Sequence, residues 1–448
     1  MKKLLIANRG EIAVRVIRTA KEMGIKTVAV HSECDVDSLH VHLADESVCI
    51  GGNRSSQSYL NMVSLLSACE VTGADAVHPG FGFLSERAEF AEVVTKCGLN
   101  FVGPTAESMR KMGSKVEARK IAAIAGVPML QGTGIIETLA DAKKAAKDIG
   151  YPILIKASNG GGGRGMRVVM GDHEIEQTFH SARSESQSAF GSPDVFIEKF
   201  VMRPRHIEIQ ILADKHGNVI YLGERECSLQ RRHQKIIEEA LSPVMTPVIR
   251  KKMGDAACNL ARSVGYEGLG TVEFLMDDDM KFYFMEMNTR IQVEHPVTEE
   301  VVGFDLVREQ LKVASGEKLS ITQEQVRYTG HALECRINAE DPHTFTPCPG
   351  LIEVYRPPGG RRVRLDSFVY QGYKVPPFYD SMMAKLITWG ETREDARKTM
   401  IRALQEFEIK GIKTNIPLHL RILQHPDFIK ASVYTKWIEE DLLGAKKT

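Results

Sequence analysis

The sequence predicts an α/β protein that turns α+β in parts, and three observations carry that prediction. From Lys3 to His31, short apolar strands alternate with an amphipathic helix, the order that builds a parallel, doubly wound sheet. From Tyr151 the pattern changes to strands and hairpins, then returns to helix around Thr246 to Val264. The chain has 448 residues, which at about 150 residues per domain suggests roughly three domains.

Lys3 to Ala7 is the first strand. Glu11 to Met23 follows as a helix, with Ile12, Val16, Ile17 and Ala20 on one face, and Gly24 stops it before the strand Lys26 to His31. A strand at Ala76 to Val77 meets the turn-rich His78-Pro79-Gly80-Phe81-Gly82, then a helix around Ser85 to Cys97 and a strand at Asn100 to Val102. The first strand–helix turn carries one glycine, Gly10, where a dinucleotide fingerprint needs three, so the unit is Rossmann-like without NAD.

Ser114-Lys115-Val116-Glu117 reads as a capping box that opens a helix ending near Gly126, and a domain boundary falls close to Ser114. Further on, strands resume at Gly270 to Glu286 and a helix covers Asp305 to Ala314. Ser315 to Thr329 is polar and reads as a linker. The last domain starts near His331, with a strand at Leu351 to Tyr355 and a helix at Arg393 to Glu406.

Composition excludes several function classes. Lys plus Arg and Asp plus Glu are both 58, so no bulk basic field exists for nucleic acid or an anionic membrane. The longest uncharged stretch, Ile121 to Ile136, is shorter than the ~18 apolar residues a membrane span needs. The apolar run Leu4 to Ala7 is too short for an export signal. Eight cysteines with no CxxC pair make neither a disulfide framework nor a zinc ribbon. The expected compartment is the cytoplasm.

Three stretches carry chemistry. The strand Tyr151 to Ser158, with Lys156, leads into the glycine run Asn159 to Gly165 and a second strand at Met166 to Met170. This fits a flap whose backbone N–H groups fold over polyphosphate. The run alone does not distinguish that flap from a flexible hairpin with an incidental lysine. Thr271 to Met276 and Phe282 to Asn288 flank the turn Asp277-Asp278-Asp279, which brings Glu273 nearly opposite Glu286. Asn288 shares the face of Glu286, and two carboxylates with an amide oxygen suit Mg²⁺. If the strand continued, Glu286, Asn288, Arg290, Gln292 and Glu294 would line one surface. The third stretch, Glu224 to Lys235, is either a solvated basic loop or a clamp for a small anion. Cys227 within it reads as core packing.

These stretches fall within a pattern that resembles the biotin carboxylase subunits of bacterial acetyl-CoA carboxylases, a family of ATP-grasp enzymes. The resemblance runs from Ile6-Ala7-Asn8-Arg9-Gly10-Glu11 almost to the C-terminus. It rests on His78-Pro79-Gly80 through Glu86, the Lys156 flap, Arg231 to Lys235, Glu286 to Pro296, and Glu334 to Asp341. It implies a Rossmann-like N-terminal domain (1–113), an ATP-grasp domain (114–316) with a mobile glycine-rich flap subdomain over about 130–203, and a mixed α+β C-terminal domain (330–446).

Residue by residue, it implies that Lys115 and Lys156 bind ATP phosphates with Gly162 and Gly163 closing over them. Glu198, Lys199, Phe200 and Val201 would form the adenine-binding connection, and His206, Gln230 and His233 would line the nucleotide. Glu273 and Glu286 would hold one Mg²⁺ or Mn²⁺, and Glu286 with Asn288 a second. Lys235, Arg290, Gln292 and Val293 would bind bicarbonate, with Glu294 as its base. Arg336 would meet the ureido oxygen of biotin; its structural alternative is a pairing with Glu334 or Glu340.

The implied partners are a biotin carboxyl carrier protein, carboxyltransferase subunits and a second copy of the chain, with Arg15, Arg18 and Phe368 in or near the family's dimer contact. No Ala-Met-Lys-Met-type attachment motif is present, so biotin is expected in trans. The implied activity is the ATP-dependent first step towards malonyl-CoA and fatty acids. Phe81 stands near the biotin site where bacterial members usually carry Tyr, and Asn159 replaces a flap glycine. The alternatives are a two-subunit pyruvate or acyl-CoA carboxylase, another bicarbonate-activating ATP-grasp ligase of the carbamoyl phosphate type, and a nucleotide-binding regulatory module.

Overall fold

The computed structural model describes residues 1–158 and 166–444. The N-terminal unit is a five-stranded parallel sheet in the spatial order Glu46–Gly51, Lys26–Ser32, Lys3–Ile6, Ala76–His78, Asn100–Phe101. Leu4, Leu5 and Ile6 are fully buried, as a strand covered on both faces demands. The helix Gly10–Glu22 packs one apolar face on this sheet, within a residue of its expected bounds. The strand Glu46–Gly51 escapes sequence reading because it is an edge strand with a largely exposed pattern. The helix Met62–Thr72 escapes it for another reason: Val63 and Val71 face solvent at 73% and 75% exposure, which blurs the helical stripe.

Ser114 caps the helix Lys115–Ile124, accepting from the Glu117 N–H at 3.4 Å. Beyond it stands a small antiparallel sheet in the order Gly132–Ile136, Val195–Lys199, Ile153–Ala157, Met166–Val169. Two helices cover this sheet, Leu139–Ile149 and Ile175–Phe190, the second where strands and hairpins were expected after Tyr151. The second buries Ile175, Phe179, Ala182 and Ser186, a helical stripe with a serine in its last place.

The largest sheet has eight strands: Phe282–Asn288, Gly268–Met276, Arg205–Ala213, Val219–Arg231, Gln234–Ala240, His331–Asn338, Met382–Gly390 and Val363–Ser367. Central and C-terminal strands therefore share one sheet, joined where Gln234–Ala240 pairs antiparallel with His331–Asn338. The polar segment after Ala314 carries only the short turn Gln323–Gln325 before His331 enters the sheet. The strand expected at Leu351 to Tyr355 is two, Gly350–Leu351 and Val354–Arg356, paired to different partners around buried Ile352. The helix Arg393–Glu406 forms as expected, opened by a Thr392–Asp395 capping box. Among the described residues no helix is long and apolar enough to cross a membrane.

Candidate active site

The three parts enclose one cavity of about 1650 Å³. A site for a single small molecule usually measures ~300–1,000 Å³, so this one has room for a nucleotide and further substrates. Its wall takes Phe81 from the parallel unit, Lys115, Lys156 and Glu198 from the centre, and Arg336 from the last part.

The hairpin Gly268–Met276 and Phe282–Asn288 pairs Glu273 directly with Glu286, and a register shift follows Glu273. Two carboxylates set opposite each other repel. Glu286 keeps an exposed side chain at the cavity face, where partial loss of hydration and the Glu273 charge push it above its ordinary range. Burial also works to raise Glu273, but Lys235 and His206 outweigh it and hold that carboxyl well below the usual value. The Asn288 amide donates to Glu273 Oε1 at 2.8 Å, which brings all three oxygen donors onto one face. Glu273, Glu286 and Asn288 fit a divalent cation, because hard oxygen donors with two facing carboxylates are what such an ion satisfies.

The polar row does not continue as a strand. After Asn288 the chain leaves the sheet and turns into the helix His295–Val302, because it must reach the buried helix start at Pro296. Loop geometry nonetheless brings the same side chains to the cavity. Gln292 donates to Glu273 Oε1 at 3.0 Å, and Arg290 donates to Asn288 Oδ1 at 3.0 Å and to Glu86 Oε2 at 2.9 Å.

Glu224 to Lys235 is a buried hairpin rather than a solvated loop. Val219–Arg231 and Gln234–Ala240 meet at the two-residue turn Arg232-His233, both at positive φ. A two-residue hairpin turn that matches the twist of its strands needs positive φ at both central positions, and these two side chains are exposed at its tip. Gln230 lies opposite Lys235 and donates to His206 Nδ1 at 2.8 Å. His206 Nε2 is 3.2 Å from Glu273.

Lys235 is the hub of the site. Its ammonium donates to Glu208 and Glu294 at 2.6 Å each and to Glu273 at 3.1 Å. Burial would lower its pKa, yet the three carboxylates raise it well above the ordinary range. Burial would raise Glu294; Lys235 and Arg336 together hold it well below the carboxylate range. Arg336 donates to Glu238 at 2.6 Å and to Glu294 at 3.0 Å, so its partners are neither Glu334 nor Glu340. Lys156 and Arg119 both pair with the Glu198 carboxylate.

Several placements differ from expectation. Lys199, Phe200 and Val201 do not line the cavity, and the Lys199 ammonium turns back to the Gly150 and Tyr151 carbonyls at 3.0 and 2.9 Å. Gly162, Gly163 and Asn159 lie outside the described residues. Arg15 and Phe368 are buried within the chain, Arg15 on Glu299 and Asp305 at 2.7 and 2.8 Å, so they offer a second copy little surface; Arg18 is exposed. Sequence reasoning missed Glu208, which the alternation His206, Glu208, Gln210 would have revealed. It also missed Glu238 and Arg119.

A parallel-sheet unit, a separate small sheet bearing Lys156, and a facing carboxylate pair on a large antiparallel sheet define an ATP-grasp ligase. Three family models match successive stretches: "Biotin carboxylase, N-terminal domain" over 1–109, "Carbamoyl-phosphate synthase L chain, ATP binding domain" over 114–322, and "Biotin carboxylase C-terminal domain" over 334–440. The chain is 54% identical to biotin carboxylase 1 of Bacillus subtilis, covering 99% of this chain and 100% of that one. It is 52% identical to a pyruvate carboxylase subunit of Methanothermobacter thermautotrophicus, over 98% of this chain and 89% of that one. The Campylobacter jejuni biotin carboxylase in its β,γ-ATP complex superposes with a TM-score of 0.92 at 49% identity, covering 98% of each chain. The biotin carboxylase domain dimer of Hydrogenobacter thermophilus 2-oxoglutarate carboxylase, solved with MgADP, ADP and bicarbonate, gives 0.90 at 46%, covering 98% and 97%. The chain belongs to the biotin carboxylase family.

Proposed function

We propose that this chain uses ATP and bicarbonate to carboxylate biotin presented by a carrier protein, the first half-reaction of acetyl-CoA carboxylase. The observation that carries this is the continuous contact Glu273–Lys235–Glu294–Arg336, which joins the facing carboxylate pair to a half-buried guanidinium within one cavity.

In this reading, Lys115 and Lys156 take the ATP phosphates, with Gly162 and Gly163 in the flap above them. His206, Gln230 and His233 line the nucleotide, and the Glu198 to Val201 connection presents backbone groups to the base. Glu273, Glu286 and Asn288 are the residues that would hold Mg²⁺, and the ion would supply positive charge opposite the transferring phosphoryl group. Lys235, Arg290, Gln292 and the Val293 backbone grip bicarbonate.

Glu294 removes the bicarbonate proton. A carboxylate held so far below its ordinary range is a weak base. Substrate oxygens that draw Lys235 and Arg336 away raise its basicity when bicarbonate and biotin arrive. The bicarbonate oxygen then attacks the γ-phosphorus and ADP departs, leaving carboxyphosphate. Carboxyphosphate separates into CO₂ and phosphate, phosphate takes the ureido N–H proton, and the ureido nitrogen adds to CO₂. Arg336 stabilises the negative ureido oxygen. Phe81 supplies an apolar wall beside it, without a hydroxyl.

The division into 1–113, 114–316 with its flap, and 330–446 belongs to this proposal, as do a homodimer, carboxyltransferase partners and a cytoplasmic site of action. ADP release with Mg²⁺ or Mn²⁺ tests the reading. It should require bicarbonate and rise further with biotin; release that an amine rather than biotin stimulates would favour a carbamoyl phosphate type of ligase.

A further inference from the structure

We propose that Lys385 is a positioning residue for the Glu294 turn, its buried ammonium fixing the backbone from which Glu294 reaches Lys235 and Arg336. This rests on the reading of Glu294 as the bicarbonate base.

Lys385 lies on the strand Met382–Gly390 and is fully buried. Its Nζ donates to the Val293 carbonyl at 2.8 Å and sits 3.1 Å from Glu11 Oε2 in the first turn of the N-terminal helix. The ammonium thus ties together the parallel unit, the loop after Asn288 and the C-terminal strands. Val293 belongs to no strand or helix, so no backbone ladder fixes the residue that precedes Glu294. Gln292 and Glu294 on either side are tied to the following helix, through His295 on the Gln292 carbonyl at 2.7 Å and the Val297 N–H on the Glu294 carbonyl at 3.3 Å, and the charge-assisted bond from Lys385 fixes the Val293 carbonyl between them.

Stability alone does not account for a lysine here. Lys385 stands directly opposite Arg336 on the neighbouring strand, and like charges facing across a sheet are unfavourable. The compensating acids are poorly satisfied: both are buried, Glu11 has the Lys385 ion pair and no further hydrogen bond, and neither oxygen of Glu334 has a hydrogen-bond partner. An apolar residue would pack this core with less electrostatic conflict. What it could not do is hold the Val293 carbonyl.

The test uses Lys385→Met with Glu11→Gln, the second change removing the acid that the first leaves unpaired, and Glu11→Gln alone as reference. The melting temperature of the double variant should match the reference, and its MgADP affinity by titration should match too. Its KM for bicarbonate should rise about tenfold or more with a fall in kcat, since small misplacements of reacting groups are costly. A double variant with the reference melting temperature and a bicarbonate KM within about twofold of the reference overturns the proposal. So does one whose melting temperature stays low, since Lys385 then serves folding. Glu294→Gln, assayed alongside, separates the two readings. If it keeps bicarbonate-dependent ADP release, the Glu294 role is wrong; if it loses release while the double variant is normal, only the Lys385 inference fails.

Discussion

Arg336→Met separates the two halves of the proposed reaction, and the structure sets both of its effects. The guanidinium lies between two buried carboxylates, at 2.6 Å from Glu238 and 3.0 Å from Glu294. Methionine keeps most of the stem's packing and removes the charge. Removing one member of a buried pair costs about 3 to 5 kcal/mol, because the other is stranded. Glu238 relieves part of that cost by protonating, since burial already pushes it up to about 7. Adding Glu238→Gln should recover most of the lost melting temperature. Activity should respond differently. Loss of one donor to a developing oxyanion lowers a rate by about 10² to 10³, so biotin carboxylation should fall by that factor. Bicarbonate-dependent ADP release without biotin should stay within about tenfold of the parent, because Lys235 and the metal face are untouched and Glu294 becomes a stronger base. Both rates, measured on the double variant at its restored melting temperature, decide the matter. Equal loss of both in that folded protein would place Arg336 in the bicarbonate step and refute the assignment.

Glu294→Gln should reduce bicarbonate-dependent ADP release by about 10² to 10⁴ while MgADP titration stays normal, because the proposed metal donors lie on the two strands of the preceding hairpin. Lys156→Ala should raise the ATP KM more than it lowers kcat in steady-state assays, since a phosphate contact made in ground and transition states alike gives uniform binding. Glu238 sets a pH dependence of stability. Its folded pKa of about 7 lies above its unfolded value, so the folded state holds the extra proton between about pH 4.5 and 7 and this group's contribution falls as pH rises through that window. Relative to Glu238→Gln, the parent should lose stability on the order of 3 kcal/mol across it by denaturant titration; a flat difference would contradict the burial of a neutral acid.

The facing carboxylate pair was legible in the sequence because one short hairpin contains it. Asp277-Asp278-Asp279 fixes the turn, and period-two alternation then sets Glu273 against Glu286. Beyond Asn288 the same rule failed: Arg290, Gln292 and Glu294 reach the cavity, but a loop rather than an extended strand delivers them. The partners of Arg336 were not legible, because Glu238 is 98 residues away and reaches it only through the pairing of Gln234–Ala240 with His331–Asn338. Local sequence offers Glu334 as the neighbour. That strand pairing also unites central and C-terminal parts in one sheet, which a polar connecting segment disguises. Ser186, closing a sparse apolar stripe, hid the helix Ile175–Phe190.

The central claim is that a bicarbonate oxygen, activated by Glu294, attacks the γ-phosphorus of ATP. A single turnover with bicarbonate labelled in every oxygen by ¹⁸O tests this most directly, read by mass analysis of the inorganic phosphate. Carboxyphosphate leaves its bridging oxygen on phosphorus, so each phosphate should carry one ¹⁸O whether or not biotin is present. Phosphate free of label would mean that water, not bicarbonate, attacks, and would contradict the account.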